Sequence, residues 1–150
     1  MGRMYVLSNV LTTVTAANTM FEIGALTNTV CVVYRLGFTQ STSEADDSAL
    51  ITFGTYTASG TGTDVSGLVE ALDPGDAAFG GTAEDNHSAD IATGEIILGR
   101  EGISLLAGYS KIFTPAERPV VPGAGFFGFN LDSAISSVSI VYECVFEEIG

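Results

Sequence analysis

The stretch SSVSIVYECVFE, residues 136–147, restricts the fold more than any other part of the chain. Val138, Ile140, Tyr142, Cys144 and Phe146 fall on one parity, and Ser137, Ser139, Glu143 and Glu147 on the other. A helix repeats its apolar face every 3.6 residues, whereas an extended strand sends alternate side chains to opposite faces. The period of two therefore predicts a half-buried antiparallel strand, packed on one side and wet on the other.

Similar signals recur along the chain. TVCVVYRLGF places Val30, Val32, Tyr34, Leu36 and Phe38 together, with Cys31, Val33 and Arg35 opposite. Near the start, Val6, Val10 and Val14 share a parity in a Thr-rich run. GFFGFNL stacks Phe127, Phe129 and Leu131 on one side, and Gly128 lets a neighbour approach closely. MFEIGA, ALITFGTYT, EIILGRE and ISLLAGYSKI are further strand candidates, with REG as a hairpin-like break between the last two. The separators carry the Gly, Ser, Asp and Pro of turns. DVSGLVEALD reads either as a short helix capped by Asp64 or as an extended connection, because Gly67 weakens the helix. Many strands and no long helix predict an all-β chain, a single antiparallel β-sandwich over residues 1–150, jelly-roll-like, with about eight strands. Two long connections, residues 73–94 and 114–125, are long enough to suggest binding roles.

Composition narrows the function. Hydrophobic residues make up 46% of the 150, and charged residues 15%. Such a chain buries a real core, has few charges to keep its surface wet, and is expected to hide apolar area against other subunits of its own kind. Eighteen acids against five bases give a net charge of −13. The bases Arg3, Arg35, Arg100, Lys111 and Arg118 are scattered, so neither nucleic acid nor an anionic membrane is an expected partner. No run of about eighteen apolar residues is present to cross a bilayer as a helix. The first residues are too polar for the core of a secretion signal.

The residue types of catalysis are also missing. His87 is the one His, beside Asp85, Asn86 and Asp90, and reads as an exposed loop residue. A hydrolytic triad needs a His base, and a glycosidase needs two carboxylates facing across a cleft. No catalytic residues are assigned and no enzyme is expected. Cys31 and Cys144 belong to no CxxC pair and read as small buried hydrophobes, with a disulfide between two core strands as the alternative. Glu44, Asp46 and Asp47 in SEADDS could supply oxygen ligands to a structural Ca²⁺, but the spacing of an EF-hand is absent. The simpler reading is a solvated acidic loop, and no cofactor is assigned.

YRLGFTQSTSEADDSALITF, TASGTGTDV, LDPGDAAFGG, TPAERPVV and the terminal VYECVFEEIG, in this order, resemble small all-β proteins of tailed-phage and marine viral sequences. The resemblance is to jelly-roll-like decoration (cement) proteins of phage heads. It implies a structural virion protein on the capsid outer surface, a trimer or dimer, bound to the major capsid protein and reinforcing its contacts. It carries over no catalytic residues. The expected capsid contacts are Pro115, Arg118, Pro119 and Pro122 in the Pro-rich connection, with Arg3 and Tyr5 near the start. Arg118 could equally pair within the chain, with Glu117 or another acid. The alternative function is a receptor- or carbohydrate-binding module of a head fibre or tail appendage.

Overall fold

A computed structural model describes residues 2–14, 17–41, 48–89, 94–133, 135 and 137–150. Glu44, Asp46 and Asp47 lie outside the described residues. The strands are β1 (Arg3–Val14), β2 (Asn18–Gly24), β3 (Val30–Gln40), β4 (Ser48–Tyr56), β5 (Thr63–Asp64) and β6 (Val69–Ala71). They continue as β7 (Thr82–Asp85), β8 (Ile96–Ser104), β9 (Tyr109–Ile112), β10 (Val120–Val121), β11 (Phe126–Leu131) and β12 (Val138–Ile149). One 3₁₀ turn, Ser66–Leu68, occupies the place of the candidate helix.

Two antiparallel six-stranded sheets form a sandwich. Sheet A runs β10-β3-β12-β1-β6, with β9 on the same edge of β3 as β10; sheet B runs β5-β7-β2-β11-β4-β8. Set aside residues 57–95, which carry β5, the 3₁₀ turn, β6 and β7. What remains is a nested antiparallel ribbon: β1 pairs β12, β2 pairs β11, β3 pairs β9 and β4 pairs β8. The ribbon is wrapped so that β12 also meets β3 and β11 meets β4. This is jelly-roll connectivity. With β9 and β10 counted as two pieces of one strand, the ribbon has the eight strands expected from sequence. The excess over eight comes from the insertion between β4 and β8. Its β6 extends sheet A beside β1, and its β7 extends sheet B beside β2.

The alternation in β12 and β11 appears as expected. Val138, Ile140, Tyr142, Cys144 and Phe146 are buried, as are Phe127, Phe129 and Leu131. Two strands differ. In β1 the inward parity is Tyr5, Leu7 and Leu11, and Val6 and Val10 point outward. In β3 the burial switches phase, from Cys31 and Val33 to Leu36 and Phe38. The cause is a bulge: Val145 opposes Arg35 but Phe146 opposes Val33, which leaves Tyr34 as an extra residue. One inserted residue reverses the parity of everything beyond it.

The core between the sheets is rich in aromatic rings. Phe21 stacks on Tyr142 at 4.8 Å between centroids, and Phe129 reaches Phe21, Phe38 and Tyr109. Such rings combine large buried area with favoured offset and edge geometries. Cys31 and Cys144 are buried free thiols. REG is not a break, for β8 passes straight through it, and the chain turns at residues 105–108 instead.

Candidate functional site

The residues expected to touch a capsid are dispersed. Tyr5 is 0% exposed; its ring packs on Phe79 and Phe146, and its hydroxyl donates to the Ala77 carbonyl at 2.9 Å. It fastens the insertion to sheet A and has no surface to offer a partner. Pro119 is also buried, because its carbonyl accepts from Val33 N at 2.9 Å and draws the segment onto the edge of β3. The connection 114–125 is thus stitched to sheet A through β10. Pro115 and Pro122 stay exposed on turns, as does Arg3 at the end of β1, beside a recess lined by Leu26, Thr29 and Glu148.

Among the described residues, Arg118 does not make the intrachain pair with Glu117 or another acid that was its alternative role. Its guanidinium lies 3.9 Å from the centroid of the Tyr34 ring, a cation–π contact, and no carboxylate among the described residues pairs with it. Its Nε is buried without a hydrogen-bond partner.

Tyr34 and Arg118 mark the outer face of sheet A, an extended surface on which apolar residues are frequent. The ladders align its residues in rows. One row reads Glu70, Val6, Val145, Arg35, Ile112 across β6, β1, β12, β3 and β9. The next, toward the chain termini, reads Met4, Glu147, Val32, Val120. In the other direction come Ser8, Glu143, Gly37, Ser110 and then Val10, Val141, Thr39. The solvent side of a sheet ordinarily alternates to polar residues. Here valine, isoleucine and methionine dominate, with Val10 48% and Ile112 75% exposed. Tyr34 donates to Glu147 Oε2 at 2.6 Å, and Arg35 pairs with Glu143. An open depression of about 540 Å³ runs over Met4, Val6, Tyr34, Leu72, Ile112 and Val145. Gly37 and its small neighbours continue it.

The interior holds polar bridges that the sequence did not announce. His87 is not an exposed loop residue but 1% exposed, because the segment after β7 folds back on β2. Asn86 N and His87 N donate to the Met20 and Thr19 carbonyls, and Asn18 Nδ2 donates to the His87 carbonyl at 2.7 Å. Burial pushes the His87 imidazole below its usual range, against the pull of Glu84 and Asp85. Asp85 Oδ2 accepts from Asn9 Nδ2 at 2.7 Å and from Tyr142 OH at 2.8 Å, joining β7 to β1 and β12. Glu22, buried on β2, accepts from Ser59 Oγ and Gly60 N at 2.8 and 3.0 Å, and burial raises its pKa. These groups tie the insertion to the sandwich. Among the described residues no cluster of three His, Cys, Asp or Glu side chains could hold a metal ion.

Phe127 and Phe129 are buried in the core, so they form no aromatic platform at a surface. What remains as a candidate site is a face, not a cleft. Its signal lay in the second parity of β1 and β12, where Val6, Val10, Val141 and Val145 stand in place of polar residues.

No model of a known protein family matches the chain, and none of the curated proteins compared with it does. Among solved structures, a chain described as "Structure of infectious bursal disease virus Gt strain" aligns with 99% of this chain at 14% identity and a TM-score of 0.21. This chain spans 42% of that one's length. A similarity of that size carries no argument about function.

Proposed function

We propose that this chain is a structural protein of a virion, a decoration subunit on the outer surface of a phage head that reinforces contacts between major capsid subunits. The observation that carries the reading is the uncovered apolar outer face of sheet A, in a molecule whose polar interior serves its own fold. A jelly roll hosts capsid, lectin and cupin functions alike, so the fold contributes by analogy only. A cupin site would need His ligands, and the single His87 is enclosed by its own loop. A net charge of −13 is suited to an exterior exposed to solvent and would be repelled by packaged nucleic acid. Arg3, Pro115 and Pro122, exposed on turns and at a strand end, are the capsid contacts of this proposal. Tyr5 and Pro119 leave the set.

Quantitative mass spectrometry of purified particles tests it. A decoration subunit is present in hundreds of copies per particle and is lost or retained with intact heads. Absence from particles, or a handful of copies in each, rules the reading out.

A further inference from the structure

We infer that the outer face of sheet A binds a second copy of this chain, about a two-fold axis parallel to the strands and midway between β1 and β12. The row from Glu70 to Ile112 is the reason. It starts with an acid on β6, passes two valines and ends with a base on β3, followed by Ile112. Strands are about 4.8 Å apart, so Glu70 and Arg35 are roughly 14 Å apart, with the two valines evenly between them. Turning a copy over about that axis sets Glu70 against the partner's Arg35 and Val6 against the partner's Val145. The same operation sets Val10 against the partner's Val141, and Ser8 against the partner's Glu143. Each contact occurs twice, as an isologous interface requires.

Charge favours this axis over one running across the strands along the same row, which would put Glu70 against the partner's Glu70 and Arg35 against the partner's Arg35. Parallel to the strands, Glu70 instead approaches the side holding both Arg35 and Arg118, whose guanidinium has no carboxylate of its own among the described residues. In a chain with five bases, two on one edge of an apolar face are a strong local asymmetry. Beside the axis, Glu143 is held by Arg35 and Glu147 accepts from the Tyr34 hydroxyl, so the two Glu70–Arg35 approaches are the attractive charge contacts of the interface.

The interface is small: under this axis β6, β1, β12 and β3 overlap their counterparts over at most about 19 Å by 27 Å, on the order of 500 Å² per copy, against roughly 800 Å² in a standard stable interface and in the range of weaker associations. The dimer rests on the proposed function only in treating this face as an assembly surface. A dimer absent from virions would overturn the decoration role alone, and a monomer found on virions would overturn the dimer alone.

Sedimentation equilibrium of the purified chain between about 1 and 100 µM tests the dimer. The expected mass is twice that of one chain. Val10→Lys and Glu70→Lys, both at exposed positions, are each expected to weaken association by about tenfold or more, with the β-sheet circular dichroism of the folded chain retained. Ile97→Lys, on the free edge of β8, is expected to leave association unchanged. A wild-type mass other than twice the chain overturns the inference. So does a dimer that Ile97→Lys dissociates and Val10→Lys does not, since that would place the interface on β8.

Discussion

Asp85 accepts two hydrogen bonds on one oxygen, from Asn9 and Tyr142, inside the sandwich. Removing a donor from a buried carboxylate leaves charge with less solvation, and such losses cost about 1–3 kcal/mol. Tyr142→Phe is expected to lower stability by about that amount, read as the urea midpoint multiplied by its slope, with the fold retained. His87 supplies a pH dependence. Its folded-state pKa is depressed by burial, so below pH 6.5 the unfolded chain takes up a proton that the folded chain refuses. Its contribution is full above pH 6.5 and is lost as pH falls from there toward the depressed folded value, with a slope of at most about 1.4 kcal/mol per pH unit. Glu22 acts in the opposite sense, because its raised pKa favours the folded state at lower pH. The slope assigned to His87 should therefore be read as the difference between wild type and His87→Phe from about pH 7 to 5, where the variant is expected to have the flatter profile. Neither role was legible in the sequence. Asp85, Asn86 and Asp90 made the neighbourhood look wet, and the backbone bonds to Met20 and Thr19 carry His87 inside.

At the level of elements, legibility followed regularity. β12 has one parity of apolar side chains along its length and could be read directly. β1 could not, because valines and leucines occupy both parities, and the apolar outer face is the very feature that blurs the signal. β3 failed for another reason: the bulge at Tyr34 is set by pairing with β12, and nothing local to VCVVYRLGF marks it. EIILGRE reads as a strand and forms β8, whose Ile96, Ile97 and Leu98 are exposed because it lies on the edge of sheet B. Close packing sets a sharper constraint between β4 and β8. A Cβ on Gly54 would lie 2.5 Å from the Ile96 carbonyl oxygen, a backbone atom that cannot step aside. Gly54→Val is expected to destabilise by about 2 kcal/mol, within the range of overpacked sites, and calorimetry would register it as a lowered melting temperature.

For the whole molecule, the insertion and the sandwich behave as one body. Tyr5, Glu22 and Asp85 each fasten residues 57–95 to strands of the jelly roll. Both cysteines lie within that body, and burial raises the Cys31 thiol to about 12 and moves Cys144 upward as well. An aromatic disulfide reagent is therefore expected to label neither thiol in the native protein, and to label both at the rate of global opening. Fast labelling of Cys31 alone would show instead that the β3 edge opens by itself. The apolar outer face on which the proposed assembly rests emerged only when β6, β1, β12, β3 and β9 were laid side by side.

The pairing of β1 with β12 also fixes an order of events. Leu7 meets Cys144, and Tyr5 meets Phe146, across nearly the whole chain. A nested ribbon has few local contacts from which to start, and topologies dominated by distant pairings fold in milliseconds to seconds or slower. While the protein is being made, β1 has no partner on the β12 side until β12 has been synthesised. Val6 and Val10 then sit on an unpaired strand, and the two-sided apolar character that later serves assembly becomes a hazard of premature association. The face that spans β1 and β12 is thus incomplete until β12 has joined it, and the proposed pairing of copies must wait for that step of folding.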